Sequence, residues 1–560
     1  MRQLSLMERG SWGQGVSASC TDERIARAGA VNQKALRMKL SRVPILSVLL
    51  SGCVVVSGCG GGESEKSGAS AGAGGVTPGP VNASASSGGA LSVGSGAGGN
   101  SATPGSMGGA SSGGTSSGGT GVVSGAGMGS GGATGGSAHG GSAATGVGGG
   151  PVVSGGVYNP EFQEFYGADC QIGDPKDVDI STLPDLFVTA DGSTRLSKKS
   201  DWRCQRAYLK KVVEKYIHGE KPGRPTTVTG SVSATAIKVH LENAGKSADF
   251  SVSVSLPSGA SGPVPAIIGL GGGSLPASLI KDEGVAVINY DNYAISDENS
   301  KAGVFTTLYG SMYAASSSQV AWAWGVSRII DVLIDEQKAG RNNIIDPTGI
   351  GVTGCSRLGK GAFTIGAFDE RIALGIPQES GTGGVSVLRI VATAPTGPNG
   401  KAAESISGAA SVKGWFGTAF SSYMTKLNTI PGDMHSLAAM YAPRGLLVLD
   451  NSRIGELCSN CEYASAMAAG KVYEALGLAK NIAYNGGNPT DPHNHCTFYP
   501  ASQGEPLKRA IRAHLTKKAD PDGRMEPQTV TNVDLAKWIP WSAPALADDL
   551  RWNSPPLTAK

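Results

Sequence analysis

Apolar positions along this chain fall into two regimes. Between residues 227 and 256 apolar and polar residues alternate, with Val228, Val232, Ala234 and Ala236, then Phe250, Val252, Val254 and Leu256. A period of two places successive side chains on opposite faces of a pleated strand, so this stretch predicts antiparallel strands with one buried face. Beyond it the alternation gives way to continuous apolar runs at 264–270, 285–290, 348–352, 371–377 and 445–449. Such runs fit strands covered on both sides. Helix-compatible segments lie between them. Residues 320–336 carry Trp322, Trp324, Ile329, Ile330, Val332, Leu333 and Ile334 on one broad face, and the tryptophans read as core. Further helices are predicted at 201–218, where Gly219-Glu220-Lys221-Pro222-Gly223 supplies the stop, and at 360–368 and 506–517. Helices alternating with apolar strands predict the α/β class: a three-layer αβα sandwich around a mainly parallel sheet.

The pattern is confined to part of the chain. Residues 60–156 are Gly, Ser, Ala and Thr with almost no large apolar side chain. A segment of that composition cannot bury enough apolar surface to offset its conformational entropy, and it predicts a flexible tether. Composition changes at Val157-Tyr158-Asn159-Pro160, and 157–518 reads as one large globular domain, with 519–560 as an extended C-terminal tail. Before the tether, Met38-Lys39-Leu40-Ser41-Arg42 followed by a short apolar run reads as a signal peptide, which makes Met38 a candidate start. Residues 1–59 thus form a leader. Leu50-Ser51-Gly52-Cys53 and Val56-Ser57-Gly58-Cys59 both have the form of a lipoprotein cleavage site, and Cys53 and Cys59 stay open as acylated residues. The chain is expected to be exported, either secreted or held at the outer membrane or cell surface by a lipid, with no other tie to a membrane. A net charge of +3 over 560 residues, without charge blocks, gives no reason to expect a nucleic-acid partner.

Candidate chemistry centres on Gly354-Cys355-Ser356-Arg357-Leu358-Gly359. An apolar run enters it, small residues make a turn, and a helix follows, which is the order of a nucleophile elbow. At such a turn a serine hydroxyl stands clear of the sheet beside helix N–H groups that favour negative charge. The usual second glycine, two residues after the serine, is Leu358 here. Serine needs a base, and the base an orienting acid. His218, His240, His435 and His514 lie on predicted helices and a strand and read as structural. His493 and His495 share a late loop rich in Gly, Asn, Asp and Pro, where the base arrives in the serine, acid, histidine order of α/β-hydrolases. Glu379 and Asp450 each follow a strand and are the candidate acids. Gly271-Gly272-Gly273 after the 264–270 strand is a weak nucleotide signal, since Pro276 interrupts any helix. In a hydrolase that loop would supply one N–H to an oxyanion hole.

Three separated motifs carry a resemblance. Gly354-Cys355-Ser356-Arg357-Leu358-Gly359-Lys360-Gly361, then Pro377-Gln378-Glu379-Ser380-Gly381, then His495-Cys496 resemble, in the same order, motifs of the glucuronoyl esterases, carbohydrate esterase family fifteen. The resemblance spans roughly residues 161–516. It implies an α/β-hydrolase fold and a catalytic set of Ser356, His495 and Glu379, with Asp450 as the alternative acid. It implies Arg357 at the oxyanion and Lys360 on sugar hydroxyls, with Trp415 and Glu456 at or near positions that contact substrate. The family's tryptophan after the late strand falls on Glu456, and its Gln and Glu fall near Lys401 and Ala409, so sugar detail carries over poorly. It further implies disulfides Cys170–Cys204 and Cys355–Cys496. The remaining pair, Cys458 and Cys461, has no second cysteine pair or histidine cluster to make a zinc site and is expected to close a local disulfide. The implied activity is cleavage of esters of 4-O-methyl-glucuronic acid in glucuronoxylan or lignin–carbohydrate linkages, by a monomer without cofactor or metal. Rival readings are an acetyl or feruloyl esterase, or a non-catalytic polysaccharide-binding surface protein.

Overall fold

The computed structural model describes residues 164–165, 170–526 and 533–549. The leader, the two candidate lipidation cysteines and the tether lie outside them.

Ten strands form one sheet in the order β1-β2-β3-β5-β4-β6-β7-β8-β9-β10. β1 (Thr227–Val232), β2 (Ala236–Asn243) and β3 (Lys246–Ser255) form the alternating region, and β3 pairs antiparallel with β5 (Ala286–Tyr290). Ile237, Val239 and Leu241 on β2 are buried, while Lys238 and His240 between them are not, which is the one-faced burial that the alternation predicts. From β5 onward every pairing is parallel, through β4 (Val264–Leu270), β6 (Ile345–Cys355), β7 (Ile372–Gln378), β8 (Gly445–Leu449), β9 (Ile482–Asn485) and β10 (Met525–Glu526).

Successive residues of the central strands feed two separate cores. On β4, Ile268 joins the larger core and Ile267 the smaller; on β8, Leu446 and Val448 join the larger, Leu447 and Leu449 the smaller. The larger core contains the helix Ser318–Lys338, with Trp322 and Trp324 fully buried, together with helices Arg357–Phe368 and Ser459–Ala475. The smaller contains Leu507 and Ile511 from the last long helix and Leu515 just beyond it. Two apolar faces, each covered by helices, make the three layers.

Some boundaries differ from the sequence expectation. The last long helix is Pro500–His514, not 506–517: Pro500 occupies its first turn, where no N–H is needed, and Pro506 falls inside it. The first helix is α-helical over Asp201–Val213 and widens to a π-turn over Glu214–His218. The C-terminal segment is not wholly extended, since Leu535–Trp538 form a short helix. Residues 525–526 cover the edge of β9, with Tyr484 N–H bonded to Arg524 O at 2.9 Å and Gly486 N–H to Glu526 O at 3.0 Å. Beyond it Trp541 packs edge-on against Phe187, its indole N–H on Leu183 O at 2.8 Å.

Every parallel strand runs toward the same edge of the sheet. The loops leaving β4, β5, β6, β7, β8 and β9 there carry Gly271–Gly273, Glu298, Ser356, Glu379, Asp450 and His495, so residues distant in sequence meet at one rim.

Candidate active site

Ser356 is the single residue between β6 and the helix Arg357–Phe368, at φ 58° and ψ −126°. Backbone of this kind is costly for any residue but glycine and persists where its surroundings fix it. Here Ser356 N–H is bonded to Gln378 O on β7 at 3.0 Å, and its carbonyl receives Lys360 N–H at 2.9 Å. The displaced glycine of the motif also finds its reason. A Cβ on Gly354 would lie 2.4 Å from Leu358 O, and one on Gly359 would lie 2.5 Å from Gln378 O. Strand, turn and helix approach closely at 354 and 359, while Leu358 occupies the space over Gly271, where a Cβ would meet its Cδ1 at 2.7 Å. The N–H groups of Arg357 and the next two residues have no intrahelical acceptor and leave the positive end of the helix at Ser356.

Glu379 follows β7 at φ 47° and is fully buried. One of its oxygens, Oε2, accepts from His495 Nδ1 at 2.7 Å and from Cys496 N–H at 2.7 Å; Oε1 is buried without a partner. Two donors on one oxygen fix the imidazole with its proton on Nδ1 and leave Nε2 free to accept. The disulfide Cys355–Cys496, with Cα atoms 5.7 Å apart, ties the residue before Ser356 to the residue after His495. Among the described residues no hydrogen bond joins the imidazole to Ser356 Oγ. Four potential metal ligands, Cys355, Glu379, His495 and Cys496, come within 4.8 Å of one another. The two sulfurs are bonded to each other and offer no thiolate. The bridges Cys170–Cys204 and Cys458–Cys461 are also formed.

Asp450, the other candidate acid, does not contact the imidazole. Its Oδ2 accepts from Tyr484 OH at 2.8 Å and its Oδ1 from Asn451 N–H at 2.7 Å. Burial pushes it up to about 6, against the hydrogen bonds of Ser459, Tyr484 and Asn451 and with the charge of Glu379 adding to the rise. Glu462, which no sequence signal marked, lies beside it. Its Oε1 accepts from Ser380 Oγ at 2.7 Å and Gly381 N–H at 2.6 Å, fixing the turn after Glu379, and burial with the nearby Asp450 raises it well above the usual carboxylate range. His493 is not placed as a base: its Nε2 accepts from Arg453 Nε at 3.1 Å.

Lys360 is nearly buried. Its ammonium donates to Ser380 O at 2.7 Å, lies 3.5 Å from Glu404 and sits 4.4 Å from the centre of the Trp415 ring. Burial lowers its basicity, opposed by Glu404 and Glu462. Trp415 is 5 % exposed, with its indole N–H on Glu298 at 2.9 Å. Glu456 is more open. Its slight burial is outweighed by hydrogen bonds from Lys401, at 2.6 Å, and Asn399, at 2.8 Å, which hold it down at about 2. Asn399, Lys401, Ile454, Glu456 and Leu457 line, with His493 and His495, an open cleft of about 580 Å³. In the loop Gly269–Ser274 the N–H groups of Gly271, Gly272 and Gly273 bond to Tyr290 O, Gly269 O and Leu270 O. No free N–H is left among these three for an oxyanion.

Sheet order, elbow and rim define an α/β-hydrolase. Residues 239–477 match the family model for fungal glucuronyl esterases. The chain is 38 % identical over 375 residues to the 4-O-methyl-glucuronoyl methylesterase of Neurospora crassa, covering 66 % of this chain and 90 % of that one. It is 39 % identical over 373 residues to that of Hypocrea jecorina, covering 65 % and 76 %. Among solved structures, the glucuronoyl esterase catalytic domain from Hypocrea jecorina aligns with TM-score 0.60 at 36 % identity, over 67 % of this chain and all of that one. A serine-to-alanine mutant of the Sporotrichum thermophile glucuronoyl esterase, in complex with methyl 4-O-methyl-β-D-glucopyranuronate, aligns with TM-score 0.60 at 37 % identity, over 68 % and 100 %. The chain belongs to the glucuronoyl esterase family.

Proposed function

We propose that this chain hydrolyses esters of 4-O-methyl-glucuronic acid by way of an acyl-enzyme on Ser356. The observation that carries the assignment of residues is the buried Glu379 carboxylate holding His495 at 2.7 Å on a loop tethered to the elbow through Cys355–Cys496. Ser356 Oγ attacks the ester carbonyl carbon, and its proton passes to His495 Nε2. The serine–histidine contact closes as the ester seats. Negative charge develops on the carbonyl oxygen at the N-terminus of the Arg357–Phe368 helix, where the Arg357 N–H and guanidinium oppose it. The tetrahedral intermediate expels the alcohol, which takes the proton from Nε2. A water deprotonated by His495 then attacks the acyl carbon, releases the uronic acid and returns the proton to Ser356. Glu379 keeps the imidazole oriented and offsets its charge throughout. Asp450 serves the local fold through Tyr484 rather than as the acid of the set.

The uronate substrate is supported by family membership and by the ester bound in the Sporotrichum thermophile relative. Lys401 and Glu456 at the open cleft, where the family resemblance expects other side chains, point to different sugar contacts around the same reaction. Export is supported by the three disulfides. Lipidation at Cys53 or Cys59 is part of the proposal, and among the described residues no helix is long and apolar enough to cross a membrane. The functional test compares hydrolysis of benzyl glucuronate with that of acetylated xylan and a feruloyl ester. The uronate ester should be the preferred substrate by orders of magnitude in kcat/KM; preference for acetyl or feruloyl release would overturn the assignment.

A further inference from the structure

Arg357 reaches solvent at its tip, with its side chain 51 % exposed, yet its guanidinium is gripped from below. Glu298, in the loop after β5, is 3 % exposed and uses both carboxylate oxygens. Oε1 accepts from Arg357 Nη1, and Oε2 accepts from Trp415 Nε1 at 2.9 Å. The guanidinium carbon lies 5.8 Å from the centre of the same indole, and Tyr293 stands within reach of the group. The backbone is shaped to allow this. A Cβ on Gly414 would lie 2.5 Å from Glu298 O, and Gly414 O accepts Ser318 N–H at 2.8 Å, so the segment before Trp415 is pressed against the loop that carries Glu298. Glu298, Arg357 and Trp415 thus lock three separate elements at the rim.

We propose that Glu298 is a positioning residue for the reaction, aiming the Arg357 guanidinium at the developing oxyanion. An arginine side chain has many rotamers to lose, and a charge recruited from them stabilises a transition state less than one already in place. Lys360 adds a second reason. It follows Arg357 by three residues, and its ammonium lies 4.4 Å from the centre of the same Trp415 ring, so like-charge repulsion favours swinging Arg357 out to solvent. The Glu298 carboxylate opposes that repulsion and leaves the guanidinium edge that it does not occupy for the ester oxygen. This inference rests on the reading of Arg357 as an oxyanion group.

The test measures kcat and KM on benzyl glucuronate for Glu298→Gln, Arg357→Ala and the double variant. A misdirected guanidinium should cost Glu298→Gln roughly ten- to a hundredfold in kcat, with KM within about twofold. In the Arg357→Ala background the same substitution should change kcat by less than about twofold, because the group through which it acts is gone. Wild-type kcat in Glu298→Gln, or an equal loss with and without Arg357, overturns the inference. If Arg357→Ala itself keeps wild-type kcat, the oxyanion reading fails and this inference falls with it, a result distinct from failure at Glu298 alone. Should Glu298→Gln not fold, Trp415→Phe frees the same carboxylate from its other side. It should lower kcat by a smaller factor that also vanishes without Arg357, and a loss that persists there counts against the proposal.

Discussion

Replacing both Cys355 and Cys496 with alanine should lower stability and activity together. The bridge closes a loop of 141 residues. In the chain-entropy model, denying that loop to the unfolded chain contributes about 5 kcal/mol at 25 °C. For a folded body of about 360 residues, with an unfolding entropy near 2 cal/mol/K per residue, this corresponds to a fall in Tm of roughly 7 °C. Activity should follow because the same bridge sets the loop that carries His495. Glu379 Oε2 receives both His495 Nδ1 and Cys496 N–H at 2.7 Å, so a freed Cys496 backbone disturbs both donors on that oxygen at once. Differential scanning calorimetry and benzyl glucuronate turnover on the double variant test the two parts, and non-reduced peptide mapping verifies the bridge in the wild type. A variant with unchanged Tm and unchanged kcat, from a wild type in which the bridge is confirmed, refutes the reasoning. Loss of stability with full activity refutes the claim that the bridge positions the base.

Other substitutions separate the two buried acids. Glu379→Gln should lower kcat by a factor on the order of a thousand or more, since triad members act as a unit, while Asp450→Asn should stay within about tenfold of wild type; the reverse ranking in a steady-state assay would transfer the acid to Asp450. Asp450 also predicts a pH dependence of stability. Its pKa, raised to about 6 in the fold, lies above the unfolded value near 3.9, so its protonated form is favoured by folding. That contribution is whole below about pH 4 and is lost as pH rises through about 6. Asp450→Asn cannot ionise and should gain on wild type in denaturant midpoint between pH 4 and 7; a constant difference would contradict the assignment. A chain beginning at Val157 should keep the specific activity of the full protein, because the sequence before it lacks the apolar residues to pack; a folded but inactive product would contradict that expectation.

The legible parts of this fold were those whose burial is written in consecutive residues. β8 was readable to the residue because Gly445–Leu449 is apolar throughout and buried throughout, and the tryptophan-bearing helix because its apolar face repeats over 21 residues. β9 and β10, of four and two residues, are too short for any period and are defined by pairing with distant chain. The elbow was legible from the order strand, small residues, helix, even with its glycine displaced, and only the packing of Gly359 on Gln378 gives that displacement a cause. Among candidate acids, sequence left Glu379 and Asp450 open, since both end strands; the φ of 47° at Glu379, which aims it at His495, is a tertiary property. Glu298 and Glu462 had no signal at all. Their partners lie 59 and 82 residues away, Arg357 for one and Ser380 for the other, and no local pattern encodes such a pairing. The glycine loop stayed ambiguous in sequence because its composition fits several uses, and which N–H groups its backbone takes up is set by tertiary pairing, as with Gly271 N–H on Tyr290 O.

The central claim is that Ser356 carries the acyl group of a uronic-acid ester. Turnover of methyl 4-O-methyl-glucuronate by wild type and by Ser356→Ala, on samples with matching circular dichroism, tests it most directly. The wild type should release methanol, and the variant should lose on the order of a millionfold, down to what binding and the oxyanion site alone can give. Turnover by Ser356→Ala within tenfold of wild type would contradict it.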